Sequence, residues 1–101
     1  MIIYVDIDNT ICTTEGTDYA NAVPNYEIID RINRYYRSGN TIVYWTARGT
    51  INNSENWFHL TKIQLDDWKV KYDELRMNKP AYDLLICDKS VHPDNLGKLE
   101  I

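Results

Sequence analysis

The sequence predicts an α/β fold, a three-layer, Rossmann-like parallel sheet flanked by helices. The first reason is that strand-like and helix-like patterns alternate along the chain, an order typical of parallel strands joined by right-handed crossovers. The second is that the strand-like runs are almost continuously apolar, as strands covered on both faces are. A chain of 101 residues fits one domain, so a single domain over residues 1–101 is expected.

The first half of the chain has the pattern strand, loop and helix. Residues 1–10 begin with an apolar run that turns acidic at Asp6, and residues 11–23 form a polar loop. A crossover helix is predicted to start near Pro24, which suits a first helical turn, and to end at Gly39. Its apolar face is predicted by helical spacing and consists of Ile28, Ile29, Ile32, Tyr35 and Tyr36.

The second half repeats the alternation. The apolar run 41–45 predicts a second strand, and the polar turn 50–53 offers caps for a helix over residues 54–68. A short third strand is expected within residues 72–77 and a last strand over residues 82–87. The apolar stripe of the second helix is predicted to consist of Trp57, Leu60, Ile63 or Gln64, Leu65 and Trp68.

Composition indicates an ordinary soluble globular protein, with 44% hydrophobic and 26% charged residues. The formal net charge of -4 argues against a general nucleic-acid or anionic-membrane surface, because both bind clustered Lys and Arg. No stretch approaches the roughly 20 apolar residues that span a bilayer, and the N-terminus opens into a strand without a basic leader. We therefore expect a cytoplasmic protein in which Cys12 and Cys87 are reduced.

Two acids follow the first apolar run, Asp6 and Asp8. In open parallel sheets the ligand crevice lies outside the carboxyl ends of the strands, so these acids are predicted to face a site. Two carboxylates this close repel each other unless a cation or a shared proton relieves them, which points to a hard metal ion or to proton transfer. The alternative is that both are turn or capping residues.

The run Asp6-Ile7-Asp8-Asn9-Thr10 resembles the first motif of the haloacid dehalogenase superfamily of phosphohydrolases. Three later stretches are similar to the other motifs of that family and occur in the same order. Thr46-Ala47-Arg48-Gly49 follows the second strand, Lys79 precedes a proline, and the apolar run 82–87 ends at Asp88. The resemblance spans roughly residues 1 to 90.

The resemblance implies that Asp6 attacks phosphorus and forms an aspartyl-phosphate, while Asp8 is the general acid and base. Thr46 would hydrogen-bond a phosphoryl oxygen, and Lys79 would hold the nucleophile and stabilise developing charge. The implied cofactor is Mg²⁺, with the Asp6 side chain, the Asp8 backbone carbonyl and Asp88 as protein ligands.

Other expectations concern the surroundings of these residues. Asn9 and Thr10 are predicted to lie beside the substrate, where their main role is to shape the turn after the first strand. Arg48 is predicted either to contact substrate or to pair with a surface acid. The resemblance also implies that the first strand lies centrally, between the strands that carry Thr46 and Asp88. Those four stretches would then meet at one edge of the sheet.

Fold and motifs together predict a Mg²⁺-dependent phosphatase that acts on a small phosphorylated metabolite such as a sugar phosphate. One alternative is a phosphatase for nucleic-acid ends or phosphoproteins, although the net charge argues against nucleic acid. Another is a non-catalytic module that binds metal and phosphate, because Cys87 stands where many members of the family carry an additional acid. A receiver domain of the response-regulator type also gathers acids at the edge of a sheet. It would need a phosphoacceptor at the end of a mid-chain strand, and this chain has Thr46 at that position.

The chain has no room for a cap domain, so an open site is expected. The polar loop with Glu15, Asp18 and Tyr19 is predicted to form a modest flap and, with Arg48, Asn52 and Asn53, to set specificity. Exposed edge strands in so small a sheet also predict self-association into a homo-oligomer.

Overall fold

The structure is a computed structural model that describes residues 1–49 and 56–98. Five strands, two α-helices and two 3₁₀ turns follow one another in it. They are β1 (Ile2–Val5), β2 (Cys12–Thr13), a 3₁₀ turn (Tyr19–Asn21), β3 (Val23–Pro24), α1 (Tyr26–Arg37), β4 (Thr41–Trp45), α2 (Asn56–Asp67), β5 (Glu74–Arg76) and a second 3₁₀ turn (Pro93–Lys98).

The main sheet has three parallel strands in the order β1-β4-β5. Val5 lies opposite Tyr44, and Tyr44 lies opposite Leu75 on the other side. The predicted strand 41–45 is confirmed, and β5 lies within the predicted range 72–77. The expectation that the first strand is central is wrong for the described residues, because β1 forms an edge and no described strand pairs with its outer side.

Both helices pack on the same face of this sheet. The buried core joins Val5, Ile42 and Tyr44 of the strands to Ile29 of α1 and Leu65 of α2. When successive right-handed crossovers advance in one direction across a sheet, their helices fall on one face, which explains the arrangement. The described residues therefore form two layers, and the predicted third layer is not among them.

The opposite face of the sheet carries no described helix and is exposed along β1, while Val43 of β4, which lies on the same face, is buried. Successive side chains of a strand point to opposite faces, so Ile2 and Tyr4 lie on the face away from the helices, and both are exposed. Tyr4 meets Trp45 edge to face, with ring centroids 5.9 Å apart. An apolar sheet surface is thus left uncovered by the described residues.

Helix α1 starts two residues later than Pro24, which belongs to β3. Asn25 is its cap, because the Asn25 side-chain oxygen accepts a hydrogen bond from the Ile28 amide at 3.3 Å. Gly39 follows the helix with a φ of 97°, a conformation that suits glycine. The predicted apolar face is confirmed, with Ile29, Ile32 and Tyr35 buried.

Helix α2 runs over Asn56–Asp67, inside the predicted range 54–68. Leu65 and Trp68 are buried as predicted. The sequence left open whether Ile63 or Gln64 belongs to the buried stripe, and it is Gln64 that is buried while Ile63 is exposed. The predicted capping turn 50–53, with Asn52 and Asn53, lies outside the described residues.

Residues 11–24 form a flap beside the end of β1. In it β2 pairs antiparallel with β3, with Cys12 opposite Pro24. The Asn25 amide donates to the Ile11 carbonyl at 2.8 Å and closes the base of the flap. The predicted polar loop is therefore a small two-stranded structure.

Residues 81–92, here called the arm, contain the predicted last strand but form no strand in the described chain. Every residue of the arm is exposed. The physical reason is that the Lys79 amide is bound to the Thr46 carbonyl at the carboxyl end of the sheet, three residues before Tyr82, whereas a parallel strand must start at the opposite end. After the arm, Leu96 packs against the core again.

Across the two described ranges, no helix is long and apolar enough to cross a bilayer.

Candidate functional site

Asp6 is the first residue after β1, and its carboxylate remains accessible, with 40% of the side chain exposed. One of its oxygens accepts a hydrogen bond from the Ile7 amide at 2.8 Å, and the other lies 3.4 Å from Lys79 Nζ. The Lys79 ammonium also lies 5.3 Å from the centre of the Tyr82 ring and 6.0 Å from that of Trp45. An accessible carboxylate with an adjacent cation is thus present where the sequence predicts one.

Thr46 is the residue that brings the second and third motif regions together. Its amide donates to the Arg76 carbonyl at 2.9 Å, and its carbonyl accepts from the Lys79 amide at 3.0 Å. Its hydroxyl oxygen accepts from the Arg48 amide at 3.1 Å. Thr46 is fully buried, and in this conformation it positions Lys79 and Arg48. Its contact with a phosphoryl group stays a prediction.

Asp8 is held by a two-pronged contact with Arg48. Arg48 Nε donates to one carboxylate oxygen at 2.9 Å, and Nη2 donates to the other at 2.8 Å. The Thr14 hydroxyl adds a third hydrogen bond at 2.6 Å. Charge-assisted pairs with this fork geometry are among the stronger hydrogen bonds in proteins, so Asp8 has one fixed orientation.

The remaining Arg48 donor, Nη1, serves helix α2. It donates to the Gln64 side-chain oxygen at 2.6 Å and to the Thr61 hydroxyl at 3.1 Å. The guanidinium carbon also lies 4.8 Å from the centre of the Tyr19 ring, a cation–π contact. Arg48 is only 1% exposed. Of the two contacts predicted for it, with substrate or with a surface acid, the structure shows a pair with an acid, Asp8, and this pair is largely buried.

Tyr19 fastens the flap to the same cluster. Its carbonyl accepts a hydrogen bond from the Gln64 side-chain amide at 2.6 Å. Its ring meets Trp57 edge to face, with centroids 4.9 Å apart. The flap predicted from residues 11–23 is therefore held against α2 and Arg48.

Asn9 and Thr10, predicted to lie beside the substrate, hold the turn after β1. Asn9 has a φ of 61°, a left-handed conformation that asparagine tolerates. Its side-chain oxygen accepts from the Thr14 amide at 3.2 Å, and the Thr10 amide donates to the Ile7 carbonyl at 3.1 Å. These contacts set the direction in which Asp8 points.

Asp88 is not brought to the site within one chain. It lies in the exposed arm, and the described residues contain no group of three or more His, Cys, Asp or Glu that could hold a metal ion. The predicted ligand set of Asp6, Asp8 and Asp88 is therefore not assembled by a single copy, because the strand expected to carry Asp88 is not formed. Cys87, the residue before it, is exposed as well.

Three polar residues of the site were missed by the sequence predictions: Thr14, Thr61 and Gln64. For the last two a signal existed. Thr61 and Gln64 are three residues apart and share a helix face with the buried Leu65 and Trp68. Polar side chains on an apolar helical stripe indicate a buried polar partner, since such groups are rarely left without one.

The flap also borders a cavity of about 220 Å³, lined by Thr13, Glu15, Asp18, Asn21 and Val23. None of these residues belongs to the network around Arg48. Two acids in the lining repel an anionic ligand, so this cavity is a poor candidate for a phosphate site.

The comparisons with known proteins bear on the fold. No protein-family description matches the sequence, and no curated protein matches it. A solved structure does match, the crystal structure of a target protein from Vibrio cholerae. That protein is 26% identical to this chain, and the match covers 99% of this chain and 89% of that one with a TM-score of 0.84. The chain is thus a small α/β protein similar in fold to that structure.

Removing Arg48 should strongly destabilise the fold. We expect Arg48→Met to lower the free energy of unfolding by about 3 kcal/mol, because a partly buried carboxylate and two polar side chains lose their donor. Urea unfolding followed by circular dichroism measures this. The matched control is Arg76→Met, which removes a solvent-exposed pair with Glu74 and should cost less than about 1 kcal/mol. Similar losses in both variants would contradict the role given to Arg48.

Cys12 should make stability depend on pH in alkali. Burial raises the pKa of the Cys12 thiol above its ordinary value of 9.0. The neutral thiol therefore contributes stability below about pH 9, and that contribution is lost as the pH rises through the higher folded value. We expect the unfolding free energy of Cys12→Ala to fall less steeply than that of the wild type above pH 9. Parallel curves in urea titrations at pH 7.5, 9 and 10 would contradict this.

Proposed function

We propose that this chain is a phosphatase of the haloacid dehalogenase type, which hydrolyses the phosphate monoester of a small metabolite such as a sugar phosphate. The observation that carries the proposal is the accessible Asp6 carboxylate at the carboxyl end of a parallel strand, with Lys79 Nζ 3.4 Å away. Support also comes from the network through Thr46, which connects three of the four motif regions. A dedicated nucleophile beside a fixed cation is what phosphoryl transfer requires.

The chain's own residues would perform two displacements. In the first, an Asp6 oxygen bonds to phosphorus, the ester P–O bond breaks, and the leaving oxygen takes a proton from Asp8. In the second, water attacks phosphorus, the bond to Asp6 breaks, and Asp8 takes a proton from the water. Lys79 offsets charge beside Asp6 in both steps. Arg48 and Thr14 both donate hydrogen bonds to Asp8, which suits its role as a base in the second displacement. The first displacement requires Asp8 to carry a proton when the substrate binds.

The proposed cofactor is Mg²⁺, which when bound would polarise the phosphoryl oxygens and neutralise charge on the transferred group. The Asp6 carboxylate and the Asp8 main-chain carbonyl would hold it, and both are the oxygen ligands that Mg²⁺ prefers. Asp6 is accessible enough to serve. Asp88 would be the third protein ligand.

A second candidate function is a non-catalytic module that binds phosphate or metal. One observation favours it: a single copy does not bring Asp88 to the paired acids.

The open surroundings of Asp6, with no cap domain over them in the described chain, also leave room for a phosphoprotein or other large substrate. Phosphate release measured over a panel of sugar phosphates and phosphopeptides distinguishes these substrate classes.

Replacing Asp6 should abolish hydrolysis. We expect Asp6→Asn to lower the turnover of p-nitrophenyl phosphate in Mg²⁺ by on the order of 10³-fold or more, because the amide cannot serve as the nucleophile. The chelator EDTA should also remove activity, and added Mg²⁺ should restore it. The matched control is Asp30→Asn, on the exposed surface of α1, which should retain activity. An Asp6→Asn protein as active as the wild type would rule out the assigned nucleophile.

A further inference from the structure

The arm is the largest unexplained apolar feature of the molecule. Leu84 is 76% exposed and Ile86 is 90% exposed, and Tyr82, Leu85 and Val91 are exposed as well. A small soluble protein rarely leaves so many large apolar side chains in one continuous stretch of chain exposed to water. The sequence pattern of residues 82–87 is that of a strand, so the arm has the properties of a strand without a partner.

A complementary surface exists on β1. No described strand pairs with the outer edge of β1, and Ile2 and Tyr4 are exposed on its bare face. An unpaired edge of this kind offers a row of backbone donors and acceptors to another strand. The described chain thus carries both a strand-like segment that pairs with no sheet and a sheet edge that no described strand occupies.

Within one copy, the arm cannot pair with the outer edge of β1 in a way that also brings Asp88 to Asp6. Asp88 reaches the level of Asp6 only if residues 84–87 pair in parallel with Ile2–Val5. The Lys79 amide is bound to Thr46, which lies two residues beyond Tyr44, the residue opposite Val5. A strand paired with the outer edge of β1 would have to begin beside Ile2. The distance from Lys79 to that point is about 16 Å along the strands and about 10 Å across them, roughly 19 Å in a straight line.

The chain available for that path is too short. Between Lys79 and Leu84 there are five residue steps, which span at most about 18 Å when fully extended. The path must also run around the sheet and reverse direction, which lengthens it. A parallel connection ordinarily takes a dozen or more residues. Pairing within one chain would therefore require Lys79 to leave Thr46 and Asp6.

We propose that two copies of this chain exchange their arms. Residues 84–87 of each copy pair in parallel with the free edge of β1 in the other, and Asp88 is carried to the partner's Asp6 and Asp8. The arm is fixed to its own chain at both ends, by Lys79 and by Leu96, so only residues 81–92 pass across. The contact is self-complementary, as a two-fold dimer requires.

The exchange accounts for three observations together. It gives the backbone of the arm a partner and places Leu85 level with Ile3 on the face that the helices cover, it pairs the open edge of β1, and it supplies the acid that one copy lacks at the site. The last point rests on the proposed function, since Asp88 is expected there as a metal ligand. The first two do not depend on it.

Sedimentation tests the dimer. The wild type is expected at about twice the chain mass of 11.9 kDa. Leu85→Lys is expected to sediment as a monomer with unchanged circular dichroism, because Leu85 would lie beside Ile3 on the face that the helices cover. The control is Ile63→Lys, at an exposed apolar residue of α2, which should remain a dimer. A monomeric wild type at micromolar concentration would overturn the proposal, and so would a dimer that Leu85→Lys leaves intact.

Cross-linking tests whether the pairing runs between copies. Ile2→Cys and Leu84→Cys are placed in separate chains, each also carrying Cys87→Ser, and the two proteins are mixed and oxidised. Paired residues on adjacent strands lie about 5 Å apart, within the range that a disulfide spans, so a covalent dimer is expected. Mixing Ile2→Cys with Ile63→Cys should give none. If the Ile2→Cys and Leu84→Cys pair in one chain cross-links only within monomers, the arm folds back on its own copy and the exchange is wrong.

Activity tests the delivery of Asp88. Asp6→Asn and Asp88→Asn are each expected to be inactive, and refolding them together in equal amounts should restore about one quarter of wild-type activity. The reason is that half of the dimers are mixed and each of these has one intact site. No recovery from an active wild type would refute the shared site. If the wild type itself releases no phosphate, the proposed function fails, while sedimentation and cross-linking still decide the exchange.

Discussion

The structure around the candidate site depends on the burial of one guanidinium group, that of Arg48. Removing a cation from water costs several kcal/mol unless its donors all find acceptors in good geometry. Here each of the three guanidinium nitrogens donates at least one hydrogen bond, to Asp8, Thr61 or Gln64. Since these three residues lie on the turn after β1 and on α2, while Arg48 itself follows β4, a single side chain fixes the relative positions of three elements. The aromatic contact with Tyr19 adds the flap to the same unit.

That constraint gives different roles to two acids that are only two residues apart. Asp8 is held by three donated hydrogen bonds and is mostly enclosed, with 20% of its side chain exposed. Asp6 has twice that exposure and faces a lysine at a looser distance. A group that must accept protons in a defined direction benefits from being fixed, whereas a nucleophile must be reachable by its substrate. The geometry therefore supports the division of roles proposed for Asp6 and Asp8. The sequence motif alone does not distinguish the two acids.

The sequence predicted what local periodicity determines and missed what long-range pairing determines. The apolar stripe of α1 and the limits of β4 follow from short patterns, whereas the meeting of the motif residues at one end of the sheet was implied only by the family resemblance. The burial of Arg48 was not predicted, because arginine is ordinarily exposed and its acceptors Thr61 and Gln64 come more than ten residues later. The edge position of β1 was also missed, since strand order depends on contacts that no local pattern encodes. For residues 82–87 the pattern predicted a strand that the described chain does not form, because a strand also needs a partner, and local sequence does not encode one.

The bare face of the sheet and the exposed arm have the same cause. Because the order β1-β4-β5 advances in one direction, right-handed crossovers place both helices on one face and leave the outer edge of β1 open to chain that follows β5. That chain is held at Thr46 by Lys79, the residue that also approaches Asp6. The contact that positions the lysine for its proposed role therefore prevents the following segment from returning across its own sheet. A longer connection would remove the conflict, but this chain has only two residues between Lys79 and Tyr82. With so short a connection, Lys79 cannot stay at Thr46 while residues 84–87 pair with β1 of the same copy, and the proposed exchange would remove this conflict.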